Sequence, residues 1–465
     1  MSVRLTVVGI GADGWEGLGG PGRVAVATTS LLVGSARQLE LVPDGATAAG
    51  ARRLAWPSPL DPLLDELAAG RHGDAVVLAS GDPMLHGVGA SLARRLADTT
   101  RSRVANTAAS GGANRAERSL RDAANLEVIP HPSAFALACA RMLWSEHETE
   151  LISTVARAPE QVGRALQAGR RLVVYATGAE GAAGIARVLT ERGFGVSRFV
   201  VLEQLGGRRE ARHESTAAAW GDRAADPLHA IAIEVRADAD AATAPAGGAS
   251  SATAIAAEAA RLGLALTPGL PDDAFDHDGQ ITKRHVRAVT VAALAPRPGE
   301  LLYDLGAGSG SIAIEWLRAT AGLAAAPARA VAFEQRPQRA ARVERNARAL
   351  GVPQLATVVG RAPDVFAAAL AEHGRPDAVF LGGGLTAPEL LAHAYDALRP
   401  GGRIVANAVT LEGQARLTRA RAEHGGTLTQ IAISHADPVG GFTAMRAALP
   451  VVQWEARKPQ EEPTP

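Results

Sequence analysis

With 465 residues, the chain exceeds what one hydrophobic core ordinarily organises, and two or three domains are expected. Its 48 basic and 48 acidic residues cancel, which removes a broad electrostatic case for nucleic acid or an anionic membrane as partner. The lone cysteine, Cys139, excludes an internal disulfide and a cysteine zinc cluster and fits a reducing cytoplasm, and no apolar run reaches the ~20 residues that span a bilayer.

Residues 3–10 read as an apolar strand that stops at Gly9 and Gly11, in a turn opening a loop. Strand patterns at 30–33 and 74–80 alternate with helix patterns at 23–27, 60–69 and 88–96, the βα alternation of a parallel sheet. A second glycine turn, Gly81-Asp82-Pro83, lies at the carboxyl end of its strand, where open α/β sheets place ligands. Asp82 is suited either to accept from a ligand or to form an Asx turn. After a strand at 126–129, Ser133 is placed to cap a helix over 134–142. Residues 98–124 are polar, rich in Ser, Asn and Arg, and read as a mobile surface insertion. A second lobe follows, with strands at 151–154, 171–176, 198–205 and 228–235 and helices at 159–168 and 182–192.

Residues 238–253 hold small residues without an apolar period and read as a flexible tether. A short helix at 255–262 and an acidic loop at 268–278 come next. Asp276, His277 and Asp278 are adjacent, and three neighbours rarely converge on one ion, so a solvated loop is expected there and no metal site. An amphipathic helix over 282–294 leads into the most informative stretch, 301–316. There an apolar strand ends in alternating glycines, Gly306, Gly308 and Gly310, and a helix starts at once. Glycine permits the tight turn and the close approach of a ligand, and the opening N–H groups of the helix favour polar or anionic ligand groups. Asp304 precedes this loop. Glu334 ends the next strand, 329–334, where a carboxylate can accept from two ribose hydroxyls. The GxGxG spacing lacks the dinucleotide GxGxxG and favours S-adenosylmethionine over NAD. The alternation continues through a helix at 337–350, a strand at 356–359, the turn Gly360-Arg361-Ala362 and a helix at 364–371. A strand at 378–381 then ends in Gly382, Gly383 and Gly384. A helix at 388–398, a strand at 402–406, a helix at 411–424 and apolar segments at 428–434 and 449–454 complete a doubly wound sheet. Residues 456–465 read as a disordered tail.

The loop region LLYDLGAGSGSIAIEW resembles the cofactor motif of class I methyltransferases. The turns VVGIGADGWEGL, ASGDPM and PHPSAFALACAR resemble those of tetrapyrrole methylases. In this order, with HDGQITKR leading into the second unit, they resemble the fused decarboxylating methyltransferases of corrin-ring biosynthesis. The resemblance implies an α/β chain: a two-lobed tetrapyrrole methylase fold over 1–236 (lobes about 1–145 and 146–236), a linker at 237–254, and a Rossmann-like class I methyltransferase domain over 255–455. It implies methylation of a precorrin at carbons 5 and 15 with loss of the ring C acetate carboxylate, S-adenosylmethionine bound once in each half, and a homo-oligomer. Carried over, Gly81, Asp82, Pro83 and Ser133 would line the first cofactor site, and Gly9 and Gly11 the substrate trough. In the second half, Asp304, Gly306, Gly308, Gly310, Glu334, Gly360, Arg361 and Ala362 would hold cofactor. Gln280, Thr282 and Lys283 would face the reacting centre. The residues themselves add a substrate reading: the basic helix entry Lys283-Arg284, with Arg287 one turn on, and the bare Gly382, Gly383 and Gly384 suit a flat, polyanionic substrate. Where that family commonly carries a His-Gly-Arg-like sequence, this chain reads Thr154-Val155-Ala156-Arg157. A non-catalytic tetrapyrrole-binding protein, a methyltransferase for another substrate and a dehydrogenase are the alternatives.

Overall fold

Three sheets organise the computed structural model, which describes residues 3–108, 125–238, 263–320, 327–385, 387 and 389–460. The first sheet is wholly parallel. It contains β1 (Arg4–Ile10), β2 (Leu31–Gly34), β3 (Arg52–Ala55), β4 (Ala75–Ser80) and β5 (Asn125–Ile129), in the order β3-β2-β4-β1-β5. The continuous apolar run of β1 follows from burial on both faces: Leu5 and Val7 enter one core and Val8 and Ile10 the other.

The second sheet has β6 (Thr149–Ser153), β7 (Arg171–Tyr175), β8 (Arg198–Glu203), β9 (Ala211–Thr216) and β10 (His229–Glu234), ordered β6-β7-β10-β8-β9, with only β6 and β7 parallel. The helix Ala134–Met142 carries Phe135, Ala138 and Met142 onto this sheet beside Val173, Val200 and Ala232. The two lobes therefore share a core.

Two local expectations need correction. The helix that opens at Val88 runs to Ala108, well into the segment read as a surface insertion, because no glycine or proline interrupts the chain there before Gly111; residues 109–124 lie outside the described residues. The expected helix at 159–168 is instead a tighter helical turn, Pro159–Ala165.

The third sheet contains β11 (Leu301–Leu305), β12 (Arg329–Glu334), β13 (Ala356–Val359), β14 (Ala378–Leu381), β15 (Arg403–Ala408), β16 (Thr427–Ile431) and, beyond the separate hairpin β17 (Ser434–Val439) and β18 (Phe442–Ala447), β19 (Val451–Arg457). The order is β13-β12-β11-β14-β15-β19-β16, with β19 antiparallel to both of its neighbours. Strand order reverses between β11 and β14, and open sheets of this kind bind ligands at the carboxyl side of that point. The expected tail starts inside β19, and Lys458 Nζ caps the end of helix Leu390–Ala397 by donating to Asp396 O at 2.9 Å and Leu398 O at 3.0 Å. No described core cluster mixes residues from before and after the 239–262 segment.

Candidate active sites

A cleft of about 1610 Å³ opens at the carboxyl ends of β11 to β15. Single small-molecule sites hold roughly 300–1,000 Å³, so a cofactor and a larger ligand fit side by side. Gly306, Gly308 and Gly310 stand at φ of +74°, +61° and +76°, where a side chain would strain the backbone. Gly306 N and Ala307 N both donate to Phe333 O at 3.0 Å, which ties the loop to the end of β12. A Cβ on Gly306 would lie 3.2 Å from Gly383 Cα, whereas one on Gly383 would meet nothing within 4 Å. The loops after β11 and β14 thus touch backbone to backbone, and the face of Gly383 is open.

Glu334 lines this cleft and is 4 % exposed. Its Oε2 accepts from Gly308 N and its Oε1 from Arg336 N, each at 3.0 Å. A carboxylate has about four lone-pair sites, so two backbone bonds fix its plane and leave acceptors for a ligand diol. Gly360, Arg361, Ala362, Gly382, Gly383 and Gly384 line the same cleft. Asp304 and Gly310 do not, contrary to the expected cofactor contacts. Asp304 is buried beneath the loop, its Oδ2 accepting from Ala313 N at 3.1 Å while its Oδ1 has no partner. Burial pushes its pKa up to about 7. Gly310 also packs beneath, where a Cβ would fall 2.8 Å from Val343 Cγ1.

Gln280, Thr282, Lys283 and Arg284 form a lip of the same cleft, and Gln280 O would lie 3.6 Å from a Cβ on Gly308. Arg287, expected to take substrate, is wholly buried. Its Nε donates to Glu315 Oε1 at 2.7 Å, its Nη1 to Asp272 Oδ1 at 3.0 Å and Thr282 O at 2.6 Å, and its Nη2 to Leu270 O. Glu315 also accepts from Gly269 N at 2.6 Å and Leu270 N at 2.9 Å. Arg287 is therefore the clamp that sets the lip in place. Asp276 and Asp278 serve the same end from outside by pairing with Arg345 and Arg339, each at 2.8 Å, on helix Pro337–Ala349. The Arg339 bond holds the Asp278 carboxyl down at about 2. Among the described residues no group of three His, Cys, Asp or Glu could hold a metal ion, and no helix is long and apolar enough to cross a membrane.

In the first half, the turns after β1, β4 and β5 lock together. A Cβ on Gly9 would collide with Gly81 O and lie 2.7 Å from His131 N, and one on Gly81, at φ +58°, would lie 3.1 Å from Ser133 Cα. Asp82 Oδ1 accepts from Met84 N at 2.8 Å in an Asx turn, and Ser133 Oγ caps its helix through Ala136 N at 3.0 Å. From the second lobe the Tyr175 hydroxyl faces Ser133, and burial pushes its pKa up to about 12. Pro83 follows in the same turn; Gly9 lies inside β1, which continues to Ile10, and Gly11 opens the loop after it. Sequence reasoning missed a pair here: His131 Nε2 stands 3.3 Å from Asp13 Oδ2, and a Cβ on Gly11 would lie 2.5 Å from both Asp13 Oδ1 and His131 Cε1. In the other cleft it missed His435, whose ring centroid is 5.5 Å from that of His285.

A precorrin-6Y C(5,15)-methyltransferase [decarboxylating] from a Sinorhizobium species is 40% identical over 458 residues, 98% of this chain and 97% of the relative. The chain belongs to the precorrin-6Y C(5,15)-methyltransferase (decarboxylating) family. A relative of the same name from Mycobacterium tuberculosis is 40% identical over 460 residues, covering 98% of this chain and all of the relative. Residues 273–458 match the family described as precorrin methyltransferase domain. A solved structure, the C-terminal domain of precorrin-6Y C5,15-methyltransferase from Rhodobacter capsulatus, is 44% identical and covers 42% of this chain and 100% of its own, with a TM-score of 0.38. Members of the precorrin-6Y C(5,15)-methyltransferase family use S-adenosylmethionine, and the cleft residues suit it: Glu334 offers a fixed carboxylate to a ribose, and bare backbone at Gly306 and Gly383 leaves room for a nucleoside.

Proposed function

We propose that this precorrin-6Y C(5,15)-methyltransferase divides its work between two sites, one in each half, each taking its own S-adenosylmethionine. As a member of that family the enzyme methylates a precorrin at carbons 5 and 15 and decarboxylates it, in cobalamin biosynthesis. The observation that carries the assignment for the second half is that Glu334, the glycine loop, the bare Gly383 and Gln280, Thr282 and Lys283 all line one cleft.

S-adenosylmethionine supplies an electrophilic methyl group. An enamine-like macrocycle carbon would supply the electrons of the new C–C bond, while those of the broken S–C bond would stay with the departing thioether. No strong base is needed, so what the chain contributes is orientation and exclusion of water. Glu334 and the bare backbone of the glycine loop set the position of the donor. Gly382, Gly383 and Gly384 leave a flat wall for the ring. Lys283, whose side chain is 63% exposed and whose Nζ lies 3.7 Å from Asp272 Oδ2, and Arg284, whose Nε donates to Gly269 O at 2.8 Å, present cationic charge to the ring's carboxylates. The ring C acetate has to escape such pairing, because a salt bridge favours the carboxylate over the charge-dispersed transition state. When its carbon dioxide leaves, the electrons of the broken C–C bond pass into the macrocycle, and a proton taken up from solvent completes the methyl group left on ring C.

Calorimetry on the full chain tests the two-site reading. Two S-adenosylmethionine molecules should bind, and Glu334→Ala should weaken one of them by about 1–3 kcal/mol, the cost of leaving hydroxyls without a charged acceptor. The other site should be unchanged. A single binding event in the parent, or no change in the variant, removes the assignment.

A further inference from the structure

The two halves of the chain meet at a polar junction outside both sites. Arg192 Nη2 donates to Arg348 O at 2.7 Å, and Arg348 Nη1 lies 3.9 Å from Glu160 Oε1. Gln167 Nε2 reaches Leu264 O at 3.4 Å. Arg318 holds the second half's side of the seam in shape, its Nη1 donating to Leu350 O at 2.6 Å and its Nη2 to Leu264 O and Ala265 O at 3.1 Å. Burial lowers the pKa of Arg164, Arg192 and Arg318 alike. Glycine marks the places of closest approach. A Cβ on Gly351 would lie 2.6 Å from Arg164 N, and one on Gly263 would collide with Leu166 O. Backbone of one half thus rests directly on backbone of the other, which a loosely tethered pair of domains would not require.

The position of this seam is informative. Helices Ser311–Ala319 and Pro337–Ala349 both start beside the cleft, at the carboxyl ends of β11 and β12, and Arg318 and Arg348 are their penultimate residues. At about 1.5 Å per residue, Arg318 lies roughly 10 Å further along its helix than Ser311. In the second lobe Gln167 shortly precedes the amino end of β7, while Tyr175, at the other end of that strand, faces Ser133.

We infer that Glu160, Arg164, Leu166 and Arg192 form with Arg348 and Gly351 a standing interface between the halves, which holds them together without the 239–262 connection and leaves both sites facing away from it. The partner this surface fits is the other half of the same chain. The test uses the full-length enzyme with a protease site placed within 239–262, cut and then passed over a sizing column with light scattering. The cut halves should travel as one species of the parent's mass. Arg192→Glu, which sets a carboxylate against Glu160 and the Arg348 carbonyl, should weaken association by at least about tenfold. Arg348→Glu, changed from the other side, should do likewise, and Arg187→Glu, on the exposed face of the same lobe, should have no effect. Circular dichroism of the separated pieces distinguishes undocking from unfolding. Folded halves of the parent that separate on cutting, or Arg192→Glu halves that stay together as tightly as the parent's, overturn the inference.

Discussion

Residues 256–465 produced alone should remove one carboxyl group from the precorrin substrate and add one methyl, whereas residues 1–236 alone should methylate and leave every carboxyl in place. The basis is the second cleft. It pairs a cofactor wall of bare glycine with a lip whose cations, Lys283 and Arg284, can anchor a flat polyanion by its other side chains. The piece should fold, because the clusters around Trp316 and Trp454 draw only on residues from 264 onward. Mass spectrometry of each product decides the matter, and carbon dioxide lost by the action of the first piece alone would reverse the assignment.

Arg287→Ala should destabilise the second half by about 3–5 kcal/mol, the usual penalty for leaving one member of a buried ion pair uncompensated. Glu315 would then be a buried carboxylate bonded only to Gly269 N and Leu270 N, and the lip from Leu270 to Lys283 would lose its anchor. Replacing both partners by apolar residues, as in Arg287→Met with Glu315→Leu, should recover part of that stability, since the cost lies in the stranded charge more than in the lost pair. Urea unfolding followed by tryptophan fluorescence, with Trp316 reporting from the core of this half, measures both. A loss below about 1 kcal/mol for Arg287→Ala would mean that Arg287 is not the clamp.

The glycine-ended strands were the legible part of this fold. β1, β4, β11, β12 and β14 each spell an apolar run whose end is set by the residues that follow, and the turns after β1, β4, β11 and β14 are glycine-bearing. β9 was illegible because ARHEST has no apolar face, and its place comes from the ladder to β8 and from Arg198 pairing with Glu214 at 2.6 Å. The hairpin β17–β18 is exposed along nearly its whole length, so burial wrote no alternation into it. Arg287 was misread because its spacing from Lys283 and Arg284 suggests one cationic face, while the partners that decide its role, Asp272 and Glu315, come from outside its helix. His131 and Asp13 are 118 residues apart in sequence, and only the meeting of β1 with β5 brings them together.

The seam between the halves has a kinetic consequence. It occupies the ends of the strands and helices that point away from the glycine loop and from Ser133, so if each half works as proposed, neither site would open onto the other within one chain. Under that two-site proposal, a macrocycle processed once would have to diffuse into bulk water before it is captured again, and the second step would respond to the concentration of free intermediate. A scavenger of that intermediate added to the reaction should therefore intercept it; complete resistance to the scavenger would instead require a direct hand-over, such as one between neighbouring chains.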